Sequence, residues 1–264
     1  MTRSEFTILH TKIPSVAAVT AASRHSFTRH THDEFGVGLI RQGAQKSLSG
    51  RGMVEAGAGD MITVNPNEVH DGMPIDDHGR SWSMLYFSQG LVADIAADML
   101  EQARHVELTA PVLTNAGEAR GFSDLFDAMT SIADDGFRAE MLLTDLMARL
   151  LCERRLLPSA HPPIARAIAM IDDDPGMEHS LASLARECGL SRFQVLRSFE
   201  KTTGLTAHAY LLQRRTDMAR RLIAKGTPLA EAATASGFAD QSHMTRIFVA
   251  KYGISPGRYA ALAN

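Results

Sequence analysis

The spacing of apolar and polar residues changes about a third of the way along the chain. Between residues 24 and 90, short apolar segments are separated by glycine-containing breaks, a pattern typical of antiparallel strands. From about residue 90, apolar residues recur at i, i+3 and i+4, which predicts helices. The predicted strands are FGVGLI (35–40), QKSLSG (45–50), DMITVNP (60–66) and SWSMLYF (81–87).

Three helical patterns follow, at 91–99, 122–129 and 139–150. The third is apolar on more than half of its circumference, so it either packs on its own domain or pairs with a second subunit of a homodimer. The segment LLPSAHPPI (156–164) then interrupts the pattern with three prolines. Proline ends helices and stiffens the chain, so we predict an interdomain linker at 156–163.

Beyond the linker, the chain contains two similar copies of one unit. LASLARECGLSRFQVLRSFEKTTGLTAHAY (181–210) aligns with LAEAATASGFADQSHMTRIFVAKYGISPGRY (229–259), with one additional residue in the second copy. In each copy, a small residue (Ala185 or Ala233) allows close helix packing, and a following glycine can end a helix in the left-handed conformation. This order of residues predicts a helix-turn-helix motif in each copy.

The second helix of each copy begins at a residue that can cap it, Ser191 or Asp240, because a side-chain oxygen can accept hydrogen bonds from the first backbone N–H groups. Its apolar residues can face inward. The outer face then carries Arg, Gln and Ser side chains that can reach base edges or phosphates in a major groove. Two tandem copies favour DNA binding over an ordinary solvated face. The outer residues are Arg192, Gln194, Leu196, Arg197 and Lys201 in one copy and Gln241, Ser242, His243, Thr245 and Arg246 in the other.

Charge is distributed unevenly along the chain. Residues 1–157 contain 14 Lys and Arg against 21 Asp and Glu, whereas residues 158–264 contain 13 against 9. The basic half is therefore the half expected to meet a polyanion. The run IPSVAAVTAAS (13–23) is too short to span a bilayer, and Glu5 and Lys12 do not suit a signal peptide. We therefore expect a cytoplasmic protein that makes no membrane contact.

Three motifs in the last hundred residues, ARRLI (219–223), GFADQSHMTRIF (237–248) and YGISPGRY (252–259), closely resemble the AraC/XylS family of transcription regulators. The resemblance covers about 164–262. It implies two helix-turn-helix units joined by a long central helix, here about 207–225, whose recognition helices enter successive major grooves. It also implies double-stranded promoter or operator DNA and RNA polymerase as partners.

Carried over by position, the resemblance places particular residues of the two recognition helices at or near DNA. Our candidates for base reading are Arg197, Gln241 and Arg246. Arg192, Arg214 and Arg215 are expected to contact phosphates or to be structural. The residues placed at or near DNA are Arg192, Phe193, Gln194, Arg197, Gln241, Ser242, Thr245 and Arg246. Those assigned to core and turns are Phe248, Tyr252, Pro256 and Tyr259.

The first half resembles, more weakly, the cupin-like barrels that sense small molecules in this family. The resemblance rests on RHTHDEFGVGLIRQG (29–43), AGDMITVNPNEVHDG (58–72) and SWSMLYF. The expected fold is therefore α+β with two domains: a cupin-like β-barrel with flanking helices, which binds an effector and dimerises, at 1–155, and an all-α DNA-binding domain at 164–264. Its helix-turn-helix units are expected at about 181–202 and 229–251.

His30, His32, Glu34 and His70 are the candidate effector-binding residues. Imidazole and carboxylate are ligands for Zn²⁺ or Fe²⁺, and a strand would place residues 30, 32 and 34 on one face. In metal-binding cupins, however, the acid lies farther from the histidines than Glu34 does. We therefore expect an effector pocket without a metal, a cofactor or a catalytic residue. A metal-dependent cupin enzyme with a DNA-binding tail, and histidines with a surface or structural role, remain alternatives.

Other residues are expected near the effector pocket, on the surface or in the buried interior. Polar or aromatic residues expected near the pocket are Arg41, Asn65, Glu68, Trp82 and Tyr86. Histidines without companions, expected on the surface, are His25, His78 and His105. Cys152 and Cys188 lie in helical patterns without metal-ligand spacing and are expected to be buried.

Overall fold

A computed structural model of the chain describes residues 5–76, 78–99, 106–131, 136–153 and 162–263. The chain divides into two compact units. The first, the sheet unit, contains the described residues within 1–27 and 31–156. The second, the helical unit, contains those within 28–30 and 157–264. None of the helices in the described ranges is long and apolar enough to cross a membrane.

Antiparallel strands form the framework of the sheet unit. The strands are β1 (Glu5–Leu9), β2 (Val16–Ser23), β3 (Phe27–His30), β4 (Phe35–Gln42), β5 (Ala44–Ser49), β6 (Gly52–Gly57), β7 (Met61–Val64), β8 (His70–Pro74), β9 (Arg80–Phe87), β10 (Val106–Leu108), β11 (Val112–Leu113) and β12 (Leu151–Glu153). One sheet of this unit has the order β1-β2-β9-β4-β7-β11, a second has the order β8-β5-β6, and β10 pairs with β12. Residues 28–30 of β3 belong to the helical unit. The four predicted strands are confirmed as β4, β5, β7 and β9.

The two faces of the larger sheet have different partners because successive side chains of a strand point to opposite faces. Phe35 and Val37 of β4 and Leu85 and Phe87 of β9 belong to one apolar cluster with the helices of this unit. The alternate residues of β9 face the smaller sheet, to which Arg80 is hydrogen-bonded. The interior between the two sheets is therefore lined by every second residue of β9.

Three helices cover the outer face of the larger sheet: α1 (Gln89–Met99), α2 (Ala116–Thr130) and α3 (Phe137–Leu150). All three were predicted from their spacing. The side chain of Asn115 caps α2 by accepting hydrogen bonds from the backbone of Gly117 and Glu118. The buried face of α3, which includes Leu143 and Leu146, belongs to the cluster of its own unit. This packing confirms the first of the two alternatives for α3, and its outer face still carries Met141, which is 58% exposed.

Three details of the chain differ from the sequence prediction. Residues 5–9 and 16–23 form β1 and β2, where no strand was predicted, because a run of small residues such as VAAVTAAS has weak alternation. Cys152 lies in β12 rather than in a helix, because α3 ends at Leu150 and the chain then pairs with β10. The first helix of the helical unit begins at Pro162, inside the expected linker, since proline is compatible with the first turn of a helix. Residues 154–161 lie outside the described ranges.

The helical unit has the predicted tandem arrangement. Its helices are α4 (Pro162–Asp173), α5 (Leu181–Cys188), α6 (Arg192–Thr203), α7 (Ala207–Ala224), α8 (Leu229–Ala235), α9 (Gln241–Tyr252) and α10 (Pro256–Ala263). The turns between α5 and α6 and between α8 and α9 contain Gly189 and Gly237 with φ of 64° and 77°, the left-handed values expected for these glycines. Ala185, Ala233 and Cys188 are buried as expected.

Candidate nucleic-acid interface and effector site

The two recognition helices, α6 and α9, have the same length and the same kind of N-terminal cap. Each has twelve residues and follows a polar cap. The hydroxyl of Ser191 accepts a hydrogen bond from the backbone of Gln194 at 3.2 Å. The carboxylate of Asp240 accepts one from the backbone of His243 at 2.7 Å. These contacts confirm both predicted caps and hold the first turn of each helix in place.

The first, second, fifth and sixth residues of each recognition helix lie on its outer face. Val195 and Phe199 of α6 and the equivalent Met244 and Phe248 of α9 are fully buried, which confirms the predicted inner faces. Of the outer residues, Phe193 is 71% exposed. Equivalent positions of the two helices are 49 residues apart, and the sixth residue of each helix is an arginine. The outer residues are Arg192, Phe193, Leu196 and Arg197 on α6 and Gln241, Ser242, Thr245 and Arg246 on α9, all exposed except the half-buried Thr245.

The third residue of each recognition helix contributes to the start of the helix. The side-chain oxygen of Gln194 accepts a hydrogen bond from the backbone of Ser191 at 2.9 Å, which completes a capping box. The ring of His243 packs edge-on against Phe238, with 5.4 Å between centroids. Gln194 was predicted to lie at or near DNA, but its side-chain oxygen is engaged by the cap. We therefore leave it out of the proposed base readers.

Arg214 and Arg215 make contacts within the helical unit. The guanidinium of Arg214 lies 2.8 Å from a carboxylate oxygen of Asp172. Arg215 donates hydrogen bonds to the backbone oxygens of Pro175 and Met177, both at 2.9 Å. Of the two roles expected for these arginines, the contacts favour the structural one.

A buried polar network attaches α9 to the central helix α7. Lys251 of α9 donates a hydrogen bond to the side-chain oxygen of Gln213 at 2.8 Å. The hydroxyl of Tyr252 donates one to Asp217 at 2.7 Å, and the amide of Gln213 donates one to the same carboxylate at 2.9 Å. Gln213, Asp217 and Lys251 are all buried. The second recognition helix is therefore positioned partly by polar groups whose geometry is more restrictive than apolar packing.

The stability of the helical unit should rise with pH in the range where Lys251 titrates. Burial lowers the pKa of the Lys251 ammonium from 10.5 to about 8, partly offset by Asp217. Below about pH 8 both the folded and the unfolded state hold the proton, and the full cost of burying the charge is present. Between about 8 and 10.5 the unfolded state binds more protons, so the free energy of unfolding increases. Urea unfolding followed by helical circular dichroism across this range should show the increase, and Lys251→Met should remove it. An equal slope in the variant would contradict this assignment.

In the sheet unit, His32, His70 and Tyr86 lie together. The ring centroid of His32 is 4.8 Å from that of His70 and 5.2 Å from that of Tyr86. A Cβ added at Gly36 would lie 3.6 Å from the His32 ring and 3.5 Å from the Tyr86 ring, so the backbone of this glycine lies directly beside both rings. The structure therefore brings together two of the four predicted effector residues and one of the additional candidates.

Hydrogen bonds fix the orientation of the two imidazoles. Nδ1 of His32 lies 2.9 Å from the backbone oxygen of Glu34, and Nδ1 of His70 lies 2.9 Å from that of Glu68. Since a carbonyl oxygen only accepts, Nδ1 must donate, and in a neutral ring Nε2 then carries the lone pair. Desolvation lowers the pKa of the His70 imidazole below 6.5, which favours the neutral form at pH 7. The two Nε2 atoms are therefore suited to accept hydrogen bonds.

His30 and Glu34 do not share one strand face with His32. Strand β3 ends at His30, the backbone bends at residues 33 and 34, and β4 begins at Phe35. The three residues 30, 32 and 34 therefore do not belong to one continuous strand. The geometry in which a strand aligns residues 30, 32 and 34 is therefore wrong. His30 is counted with the helical unit, so we do not group it with the cluster. Among the described residues, no group of three or more His, Cys, Asp or Glu side chains is positioned to hold a metal ion.

Two of the remaining polar candidates join loops instead of lining an interior. Glu68 accepts hydrogen bonds from the backbone of Gly50 and Asn65 at 2.7 and 3.0 Å. Asn65 exchanges hydrogen bonds with the backbone of Leu108 at 2.9 and 2.7 Å. Arg41 is exposed and donates to the hydroxyls of Ser83 and Ser123. These contacts give all three side chains a structural role.

Of the three isolated histidines, His78 is exposed as predicted and His105 lies outside the described ranges. His25 contradicts the prediction. It is half-buried, with its ring packed edge-on against Phe27 at 4.9 Å between centroids, because Phe27 opens the next strand and places its ring beside the loop.

Arg80 and Gln45 lie between the two sheets and were not predicted from the sequence. Nε of Arg80 donates to the side-chain oxygen of Gln45 at 2.9 Å. Nη1 donates to the backbone oxygen of His25 at 3.1 Å, and Nη2 to that of Gly72 at 3.2 Å. Arg80 immediately precedes the predicted strand SWSMLYF, and a charged residue at the start of a buried strand is the one signal that could have drawn attention to it.

Tandem capped recognition helices define a DNA-binding protein of the helix-turn-helix class, and the sheet unit adds a domain with polar groups in its interior. The model of the AraC-like ligand binding domain matches residues 14–151, and a helix-turn-helix domain model matches residues 184–261. The chain belongs to the AraC family of transcriptional regulators: it is a DNA-binding regulator with a ligand-binding N-terminal domain.

Relatives with curated descriptions agree with this family. The HTH-type transcriptional regulator YbfI of Bacillus subtilis is 23% identical over 224 residues, which cover 83% of this chain and 81% of YbfI. The arabinose operon regulatory protein of Salmonella typhimurium is 28% identical over 149 residues, 53% of each chain. The transcriptional activator RclR of Escherichia coli is 26% identical over 121 residues, 45% of this chain and 43% of RclR. The chain thus spans about half the length of the latter two.

Solved structures share the two-domain fold. An apo form of a ToxT variant from Vibrio cholerae has a TM-score of 0.65 and 13% identity, and the match covers 97% of this chain and 100% of that one. ToxT bound to an unsaturated fatty acid has a TM-score of 0.57 and 12% identity, with 99% and 96% covered. The sheet-rich first half and the helical second half are therefore confirmed as a known architecture.

Proposed function

We propose that α6 and α9 bind DNA through their first, second, fifth and sixth residues, with Arg197 and Arg246 reading bases. The observation that supports this proposal is the equivalence of the two helices: the same positions are outward-facing on both, and an arginine occupies the sixth position of each. Arginine donates two parallel hydrogen bonds to the major-groove edge of guanine. Residues near the start of a recognition helix are those that enter the groove.

The remaining outer residues are assigned by their chemistry. Gln241 can form paired hydrogen bonds with adenine, and Ser242 and Thr245 can bond to bases or phosphates. The exposed apolar Phe193 and Leu196 suit contact with thymine methyl groups. Arg192 lies at the first position of α6, where an exposed guanidinium can bind a backbone phosphate.

Binding to labelled DNA fragments from the region around the gene tests the proposal. Specific binding should appear at one or more fragments, and its affinity should decrease as salt increases because bound phosphates release counterions. Footprinting should show protection in two adjacent major grooves. The same low affinity for every fragment, or an affinity independent of salt, would exclude this mode of binding.

We further propose that a small molecule bound between the two sheets changes DNA binding, and that His32, His70 and Tyr86 lie at one end of its site. The support is the grouping of the Tyr86 ring with two imidazoles, His32 and His70, whose Nε2 atoms are suited to accept hydrogen bonds. ToxT shows that a related fold holds an organic molecule, since one of its structures contains an unsaturated fatty acid. The effector must bind the DNA-competent and incompetent states with different affinity.

His32→Ala and His70→Ala should each weaken binding of the effector while leaving basal DNA affinity unchanged. Loss of a hydrogen bond to a bound ligand costs about 0.5–1.5 kcal/mol, which corresponds to a decrease in affinity of roughly two- to tenfold. A thermal-shift screen of metabolites on the full chain would supply the ligand. His78→Ala, at an exposed position, is the matched control. Loss of DNA binding and effector binding together would show that the histidines support the fold.

Two partners and a location complete the proposal. A homodimer formed through the outer face of α3 would cover Met141, and Met141→Asp should then shift the sedimentation coefficient towards that of a monomer.

RNA polymerase is the expected protein partner of a regulator bound near a promoter. The protein acts in the cytoplasm because its DNA partner is there, and it acts without catalysis, as its relatives are described as regulators. Metal analysis of the purified protein tests the alternative of a metal-dependent enzyme.

A further inference from the structure

Arg80 carries a charge in the interior of the sheet unit. It is the first residue of β9, and its side chain is only 4% exposed. Its three hydrogen bonds reach Gln45 of β5, Gly72 of β8 and the loop residue His25. The guanidinium therefore lies between the larger and the smaller sheet.

The acceptors around Arg80 are all neutral. Two are backbone carbonyls and the third is a side-chain amide oxygen, and no carboxylate among the described residues pairs with the guanidinium. Desolvation alone lowers the pKa of Arg80 to about 10, so the group remains charged at pH 7. Buried charges are normally paired, because an uncompensated charge in the interior is costly. The site thus holds a positive charge whose counter-ion is not part of the described chain.

Donors on Arg80 remain for a ligand. A guanidinium carries five N–H groups, and the described residues accept from three of them. The two others lie on Nη1 and Nη2, each of which makes one hydrogen bond. A carboxylate is the group best matched to such a pair of donors, since its oxygens accept charge-assisted hydrogen bonds.

Aromatic rings surround the same guanidinium. It lies 5.5 Å from the ring centroid of Phe27 and 5.0 Å from that of Trp82. Phe6 packs edge-on against both rings, at 6.4 and 5.8 Å between centroids. The charge therefore lies among apolar side chains that suit the hydrocarbon part of a ligand and would exclude water from an ion pair formed at Arg80.

The interior beyond these rings can adapt to an apolar group. Arg80, Trp82, Met84 and Tyr86 alternate along β9 and share its inner face. Met84 lies over Gly36 and Gly38, where an added Cβ would approach its Cε to 2.7 Å and its Sδ to 2.3 Å. Methionine is flexible and unbranched, so Met84 can rotate to make room above the two glycines.

We propose that the effector is an organic monocarboxylate, whose carboxylate binds Arg80 and whose apolar body lies along β9 over Trp82 and Met84. This inference rests on the proposed effector function of the sheet unit. It differs from a purely structural role for Arg80, in which the guanidinium only joins the two sheets through its three hydrogen bonds. The structural role predicts no preference for an anion.

Calorimetric titration of the full chain separates the two roles. The probes are linear monocarboxylates from butanoate to dodecanoate and the aromatic acids benzoate, phenylacetate and cinnamate, each compared with its primary amide. At least one acid should bind, and its amide should bind roughly ten- to a hundredfold more weakly, because a hydrogen bond to a charged group is worth about 1.5–3 kcal/mol. Equal binding of acid and amide would overturn the proposal.

Gln45→Glu is the decisive variant because glutamate has the same size and shape as glutamine, so the change leaves no cavity in the interior. Its carboxylate would lie where the Gln45 oxygen now lies, 2.9 Å from Nε of Arg80, and would supply an internal counter-ion. It should raise the melting temperature and reduce affinity for the acid at least tenfold. Gln42→Glu, an exposed change of the same charge on β4, should do neither. Unchanged acid affinity in Gln45→Glu would contradict a site at Arg80. The same conclusion would follow if the single variants Arg80→Lys and Arg80→Gln both bound the acid as tightly as the unchanged protein.

A parallel set of uncharged sugars, alcohols and amides, together with aliphatic amines, distinguishes this inference from the broader proposal. If a member of that set binds in the sheet unit and alters DNA affinity while no acid binds, the effector function stands and the carboxylate inference fails. If no molecule of either set binds, both fail.

Discussion

Replacing Asp217 by asparagine should lower the free energy of unfolding of the helical unit by about 1–3 kcal/mol near pH 7. Asp217 is 1% exposed and accepts hydrogen bonds from Gln213 and Tyr252. The change keeps the size of the side chain but removes the negative charge that faces buried Lys251. Gln213 and Tyr252 then lose a charged acceptor, Arg214 loses a carboxylate that lies 3.8 Å away, and the buried ammonium of Lys251 loses a nearby negative charge, which costs more than a lost surface ion pair.

The loss should depend on pH. As pH rises towards about 9, Lys251 can release its proton, and the asparagine variant should recover part of its deficit because an uncharged amine needs no counter-ion. Asp173→Asn, an exposed change of the same kind on α4, is the control and should alter stability by less than about 0.5 kcal/mol.

Two optical signals allow the effect to be assigned to one unit. Trp82 is the single tryptophan of the chain and lies in the sheet unit, so its fluorescence follows unfolding of that unit. About two thirds of the described helical residues belong to the helical unit, so circular dichroism at helical wavelengths mainly follows its unfolding. In urea, Asp217→Asn should shift the dichroism transition and leave the Trp82 transition in place. A shift below about 1 kcal/mol in the dichroism transition would show that the buried charge of Asp217 contributes little.

Replacing Arg246 by alanine should weaken binding to the specific site by about 1–3 kcal/mol and should relax the preference for one base pair. Arg197→Ala should do the same at a different base pair, because Arg197 occupies the equivalent position of α6. If the two positions are independent, the double variant should lose about 2–6 kcal/mol. Affinity for unrelated DNA should fall much less, since that term depends on phosphate contacts.

The measurement is a comparison of affinities for the specific site and for each of its single base-pair substitutions. Arg166→Ala removes the same charge from an exposed position on α4 and is the matched control. It should affect all sequences equally and weakly. Equal loss on every sequence for Arg246→Ala would assign this residue to phosphate binding instead of base reading.

The helical unit was predictable from sequence because its signals are local. Ser191, Gly189 and Asp240 act on the backbone within a few residues, so their roles as caps and turns follow from the order of residues alone. The burial of Phe199 and Phe248 follows from helical spacing. A second copy 48 to 49 residues away repeated each signal and strengthened its interpretation.

The sheet unit was less predictable because its contacts join distant segments. Arg80 and Gln45 are 35 residues apart, and nothing near either residue indicates that they meet. Asn65 bonds to Leu108, which is 43 residues away, so a polar residue expected near a pocket instead joins two loops. His30, His32 and Glu34 were expected on one strand face, but the strand ends at the first of them.

The use of the third residue of each recognition helix has a consequence for redesign. Gln194 completes the cap of α6, and His243 packs on Phe238 at the start of α9, so neither position can be changed freely. The neighbouring outer positions have no such role in starting the helix. Libraries that vary those eight positions and hold the third ones constant should therefore change the preferred operator sequence while preserving expression yield and solubility.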